Sequence, residues 1–260
     1  MPVVKAKNQA LDAELVSQLE PWGVKRFSLA ARKSLRQRFS SCLDATGHLL
    51  WKELFGSGKV KLELGAGSGE WVAAQAEMDS ESLWVAVELM RDRAHSILRR
   101  AIAKELQNLC IFSGDALEML RRLIPGASIS HVFVNFPEPP FVSGNEAAES
   151  SFHMMTNEMF LEMHRVLEKA GGITILSDNQ RYMRSLAETA GGLMEQGLFG
   201  SVDVSGTSSE TLHGVSLYQG WPNKHSGHLV KSSSYFDSHW AKGKRVDRFY
   251  MQLRKKRKKG

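Results

Sequence analysis

Short apolar runs that end in glycine or acidic turns and lead into helical spacing predict a doubly wound α/β fold for this 260-residue chain. Three stretches carry that expectation. Lys59 to Glu70 reads as a strand with Val60, Leu62 and Leu64 alternating, then a turn with Gly65, Gly67 and Gly69, then an Ala-rich helix from Trp71. Leu83 to Met90 is a nearly continuous apolar run, as expected of a strand covered on both faces of a parallel sheet. Ser130 to Asn135 is another strand, and it runs into Phe136-Pro137-Glu138-Pro139-Pro140. Prolines on both sides of Glu138 can neither extend a strand nor fill a helix interior, so they form a stiff loop at the strand's carboxyl end.

Taken in order, residues 1–58 read as a basic, helical N-terminal extension: a leader to Pro21, a basic amphipathic segment from Lys25 to Phe39, and a short helix over Leu43 to Phe55. The basic segment either docks its apolar side on the sheet with its cations in water, or contacts phosphate directly. Gly56-Ser57-Gly58 is the hinge into the main domain, expected over 59–253. Within it, Asp92 to Glu105 is a helix, and the stretch from Asn108 is a strand turning at Gly114-Asp115-Ala116. Met159 to Lys169 is an amphipathic helix capped by Gly171-Gly172, and Ile173 to Asp178 is a strand. Arg181 to Thr189 is a helix stopped at Gly191-Gly192, after which residues 197–233 give no clear pattern. Tyr235 to Trp240 and Val246 to Leu253 read as a closing C-terminal β-hairpin, and 254–260 as a solvated, disordered basic tail.

Charge is distributed unevenly. Residues 1–59 carry ten Lys/Arg against five Asp/Glu, and residues 221–260 carry twelve against two, so the +6 total hides an acidic middle. Basic ends around an acidic centre suit a polyanion held at the rim of a domain whose own pocket is acidic. No apolar run approaches the roughly 18 residues of a bilayer span, which argues against a membrane. The N-terminus lacks the apolar core of a signal peptide, so the cytoplasm or nucleus is expected. Cys42 and Cys110 form no framework, which suits a reducing compartment. No cysteine pair completes a zinc set with the scattered histidines, so no metal is expected.

The glycine turn departs from the dinucleotide fingerprint. Its spacing is G-x-G-x-G and an acid, Glu63, sits inside the preceding strand. That combination points away from a pyrophosphate and towards a cofactor with a positive centre and an amino-acid tail, S-adenosylmethionine. Glu88 follows Gly65 by about twenty residues, where nucleotide-binding α/β folds set an acid against the ribose hydroxyls. Asp115 stands at the adenine edge or caps the next helix, and the two roles are compatible.

These motifs, in this order, resemble the tRNA (guanine-N7)-methyltransferases, a family with the Rossmann-like sheet of the class I methyltransferases, from about Val60 to Leu253. The family's first motif corresponds to Glu63-Leu64-Gly65-Ala66-Gly67-Ser68-Gly69-Glu70, its ribose acid to Glu88 followed by Leu89, and its G-D-A turn to Gly114-Asp115-Ala116. The most specific match is Asn135-Phe136-Pro137-Glu138-Pro139 against N-F-P-D-P. The resemblance implies S-adenosylmethionine held by Glu63, the three glycines, Glu88, Leu89, Asp115, Ala116 and Asn135. It implies tRNA as substrate and Glu138 as the catalytic residue. A later T-D-N matches Ser177-Asp178-Asn179, and T-x-x-E matches Ser234-Tyr235-Phe236-Asp237, so Asp178, Ser234 and Asp237 are implied to contact substrate.

Three departures accompany the match. Glu stands for the family's catalytic Asp, Ser and Asp replace the later Thr and Glu, and the cationic run after the proline loop is absent. From Pro140 to Phe160 there is no Lys or Arg, whereas Glu146 and Glu149 are present, which should weaken phosphate binding. The basic ends could compensate, or the substrate could differ, and a partner subunit would leave no mark in the sequence. Two alternatives stay open. Glu138-Pro139-Pro140-Phe141 loosely resembles the motif of amino-group methyltransferases acting on nucleic acid, and a non-catalytic paralogue could bind RNA through its basic ends.

Overall fold

The computed structural model describes residues 41–140, 153–202, 204, 209–222, 227–229 and 247–256. The chain order is α1 (Trp51–Phe55), β1 (Lys59–Leu64), α2 (Glu70–Met78), β2 (Ser82–Glu88), α3 (Arg91–Ala103), β3 (Leu109–Ser113), α4 (Ala116–Leu123) and β4 (Ile129–Asn135). It continues with α5 (Asn157–Val166), β5 (Leu167–Ser177), α6 (Gln180–Glu195), β6 (Phe199–Ser201), β7 (Glu210–Leu212), β8 (Val215–Gln219) and β9 (Phe249–Lys255). One sheet runs β3-β2-β1-β4-β5-β9-β8-β7, with β6 pairing to β9. The first five strands are parallel, and β9 enters antiparallel to both β5 and β8.

The sheet is covered on both faces. Val60, Leu62 and Leu64 of β1 face a core completed by α4, α5 and α6. Trp84, Ala86 and Phe133 face a second core with Trp71, Val72 and Ala76 of α2 and Ile97 of α3. All seven residues of β2 are buried, as its unbroken apolar run requires. The strand order reverses between β1 and β4, so the carboxyl ends of these two neighbours open a crevice.

Several boundaries differ from the sequence reading, each for a local reason. The helix expected over Leu43 to Phe55 is reduced to α1, because the Asp44 carboxylate takes the N–H groups of Thr46 (2.7 Å) and His48 (3.0 Å) and bends the chain instead. Gly171 and Gly172 do not cap α5, which ends at Val166; they lie inside β5. A Cβ on Gly172 would fall 2.7 Å from the His131 ring, so glycine is there for close approach. Gly191 and Gly192 do not stop α6, which runs on to Glu195; a Cβ on Gly191 would meet that of His213 at 2.3 Å. Gly171, Gly172 and Gly191 are therefore packing glycines, whereas a Cβ on Gly192 would meet nothing within 4 Å.

The second arm of the expected hairpin is β9, and its described partners are β5, β6 and β8. The first arm, Tyr235 to Trp240, lies outside the described residues, as do residues 1–40 and the end of the tail from 257. The tail was expected to begin at Arg254, but β9 continues through Lys255. The Lys255 ammonium donates to the His164 and Leu167 carbonyls at 2.7 Å each, closing the carboxyl end of α5.

Candidate functional site

A cavity of about 1200 Å³ opens over the carboxyl ends of β1, β2 and β4. Its described lining carries seven carboxylates (Glu63, Glu70, Glu88, Asp92, Asp115, Glu138 and Glu158) against one guanidinium, Arg93. Gly65, Ala66, Gly67, Leu89, Ala116 and Asn135 line it as well. The topology therefore gathers most of the sequence-derived candidates into one space.

Glu63 leaves β1 on the side opposite Leu62 and Leu64 and is only 2% exposed. Asn135 Nδ2, at the end of neighbouring β4, donates to its Oε1 at 2.8 Å. The other oxygen, Oε2, is enclosed and has no hydrogen-bond partner among the described residues. Burial pushes this carboxyl up to about 8, with Glu88 and Glu70 adding to the rise and the Asn135 hydrogen bond opposing it. The group thus holds a proton in the folded chain that it releases when unfolded. Folding stability should fall by a few kcal/mol as pH rises from about 4.5 towards 8, and Glu63→Gln should flatten that fall in urea titrations across the range.

Glu88, 4% exposed, ties down the glycine turn. Its Oε2 accepts from Gly67 N–H at 2.8 Å and its Oε1 from Met90 N–H at 2.9 Å. Each oxygen keeps a second lone pair for a ligand. Gly65, Gly67 and Gly69 all have positive φ, which side-chain-bearing residues avoid. A Cβ on Gly67 would meet nothing within 4 Å and would project into free space, so this backbone is a cradle a ligand can approach.

Gly69 is set back from the cavity, against Ile97 of α3, where a Cβ would come within 2.6 Å. Gly69→Ala is expected to cost about 2 kcal/mol from left-handed strain and overpacking together, measurable as a lower urea midpoint at unchanged slope.

Asp115 caps α4 by accepting from Glu118 N–H at 3.0 Å, and it is exposed at the cavity. The proline loop begins with Phe136 in the left-handed region (φ 53°), its N–H donating to Leu176 O at 2.7 Å. A bulky residue held there stores strain of about 1–3 kcal/mol, tolerated because the surroundings fix it. The turn tucks Pro137 in and leaves Glu138 exposed at the cavity wall. Asp178 directly follows β5 but does not line the cavity, while its neighbour Asn179 caps α6 through Tyr182 N–H at 3.0 Å. Ser234 and Asp237 lie outside the described residues.

Two contributors had no sequence signal. Arg100 of α3 donates to Ser68 O at 3.0 Å and to the Glu70 carboxylate, bracing the glycine turn from outside. His228, 1% exposed, packs on Trp71 and Phe133 and sits 3.3 Å from Asn135 Oδ1, fixing the amide that holds Glu63. Both contacts join residues distant in sequence. Among the described residues no group of three or more His, Cys, Asp or Glu could hold a metal, and no helix is long and apolar enough to cross a membrane.

Residues 57–207 match the model of a family described as "Putative methyltransferase". A tRNA (guanine-N(7)-)-methyltransferase of Chlamydia muridarum (strain MoPn / Nigg) is 32% identical over 136 residues, 51% of this chain and 58% of that protein. A protein of the same name from Rubrobacter xylanophilus is 32% identical over 138 residues, 52% of this chain and 59% of its own length. The chain thus spans somewhat over half the length of these relatives. Among solved structures, the 16S rRNA methyltransferase KamB superposes with a TM-score of 0.54 at 15% identity, over 80% of this chain and 93% of that one, a likeness of fold. With its matched region reaching across the glycine turn, the ribose-position acid and the proline loop, the chain belongs to that methyltransferase family.

Proposed function

We propose that this chain transfers a methyl group from S-adenosylmethionine to N7 of a guanosine in tRNA. The observation that carries the reading is the junction of two motifs in one cavity: the acidic strand and glycine turn on one side, the Asn135-to-Pro139 loop on the other. The chain's likeness to the two guanine-N7 methyltransferases supports the choice of base and substrate.

The residues fit the cofactor. Glu88 offers spare lone pairs to the ribose hydroxyls, and the exposed Leu89 and Met90 offer apolar cover for an adenine ring. Asp115 can accept from the exocyclic amine with the oxygen its cap leaves over. Gly65 and Gly67 admit the amino-acid end, and the carboxylates around the cavity supply negative potential for a cation. When bound, S-adenosylmethionine supplies an electrophilic methyl on a sulfonium.

What the protein adds is position and charge. Guanine N7 carries a free lone pair and no proton, so no general base is needed. Glu138 accepts from the N1–H and the exocyclic N–H of the base, turns N7 inward and balances the positive charge that develops on the ring. Asp178, with Ser234 and Asp237, serves as a second contact to the substrate. The extension 1–58 and the basic tail carry the phosphate contacts that the acidic stretch after the proline loop does not provide.

The deciding experiment is methyl transfer to total tRNA followed by nucleoside analysis. 7-Methylguanosine in the product supports the reading. An N-methylated exocyclic amine would assign the chain to amino-group chemistry, and cofactor binding without any transfer would make it a non-catalytic RNA binder.

A further inference from the structure

Among the described residues, Glu63 is the one cavity carboxylate with an enclosed, unpartnered oxygen. Its surroundings on every packed element are unfavourable to negative charge or neutral. Glu88 faces it from β2 and Glu70 from α2, the latter already paired to Arg100 of α3. From β4 it receives a single neutral donor, Asn135, backed by His228. Asp92, Asp115, Glu138 and Glu158 line the same cavity, where Arg93 is the lone guanidinium among the described residues. No cation is within hydrogen-bonding reach of Glu63 among those residues.

We propose that Glu63 is the residue with which the pocket distinguishes the sulfonium cofactor from its neutral thioether product, giving up a proton as the cation enters. The inference rests on S-adenosylmethionine being the cofactor. A cation in the cavity favours the charged form of an adjacent buried carboxylate, so Glu63 ionises on binding and its proton passes to solvent. After transfer the positive charge resides on the methylated base and leaves with it. The thioether left behind no longer compensates Glu63, which takes the proton back, and the product loses an attraction that the cofactor had. Burial pushes the carboxyl up to about 8, so at pH 7 it is mostly protonated and the exchange is near complete. His228 and Asn135 are positioning residues here, because Asn135 holds Oε1, His228 fixes the Asn135 amide, and Oε2 is left for the cation.

The test is calorimetric titration of the full chain with S-adenosylmethionine and with S-adenosylhomocysteine, each in two buffers of different ionisation enthalpy. Both ligands carry the same amino-acid end, so its own titration cancels in the difference. At pH 7 the sulfonium ligand should release about one proton more than the thioether. Its preference over the thioether should grow about tenfold per pH unit from pH 6 towards 8. Glu63→Gln retains an oxygen for Asn135 and should abolish both effects while still binding the thioether. Equal proton counts for the two ligands in the wild-type chain would overturn the inference even if the variant failed to fold. So would a pH-dependent preference that survives in Glu63→Gln. Absence of binding by either ligand would overturn the cofactor reading and this inference with it.

Discussion

Glu138→Gln is expected to leave S-adenosylmethionine binding intact and to lower methyl transfer to guanosine by at least about 100-fold, the scale of one lost preorganised electrostatic contact. The substitution keeps the shape of the side chain and the stiff loop that carries it. It replaces an acceptor oxygen with an NH₂ group facing the base's own N–H donors, so attraction becomes repulsion, and the charge that balanced the ring is gone. Glu138 is exposed at the cavity wall while Glu63 and Glu88 are buried in it, so the defect should be confined to the base. Single-turnover transfer with saturating cofactor reads the effect, and calorimetry of cofactor binding is the control. Glu138→Asp should retain more activity, because it restores the acid found in the N-F-P-D-P pattern on a shorter arm. A fully active Gln variant would mean that the guanine is held elsewhere and that Glu138 is a loop residue only.

The parts legible in the sequence were those with local causes. Strand β2 announced itself because burial on both faces demands an unbroken apolar run, and the glycine turn because its left-handed residues demand glycine. The proline loop was legible as a stiff break, although the left-handed Phe136 at its start was not, since nothing in a phenylalanine advertises that conformation. Glycines read equally well as helix ends or as close contacts, and at Gly171, Gly172 and Gly191 the contact had the stronger claim. The insertion of β9 between β5 and β8 could not be read, because antiparallel pairing across about thirty residues of chain to β8 and about seventy to β5 leaves no local trace. The bracing by Arg100 and the Asn135–His228 contact were hidden for the same reason. The acids of the site could be found because each lies at or just beyond the carboxyl end of a strand. Their division into a loop anchor, a buried acid and an exposed one depends on burial, which the residue types do not reveal.

Glu88→Ala is expected to weaken S-adenosylmethionine binding by at least about 100-fold, nearly 3 kcal/mol. Two losses combine. The first is the pair of charge-assisted hydrogen bonds proposed to the ribose, worth about 1.5–3 kcal/mol. The second is internal: the carboxylate holds Gly67 N–H and Met90 N–H at once, and so fixes the glycine turn relative to the start of α3. Without it both amides lose their acceptor, and the cradle must be ordered by the ligand at the ligand's expense. Arg100 still braces the turn through Ser68, so the fold should survive. The two losses separate experimentally. Hydrogen exchange of the ligand-free variant reports the turn, through the amides of Gly67 and Met90, while calorimetry reports total affinity. Faster exchange with a moderate affinity loss would make Glu88 chiefly an anchor. Unchanged exchange with the full loss would make it chiefly a ribose ligand. Unchanged affinity would remove Glu88 from the cofactor site altogether, whatever its place in the strand order suggests.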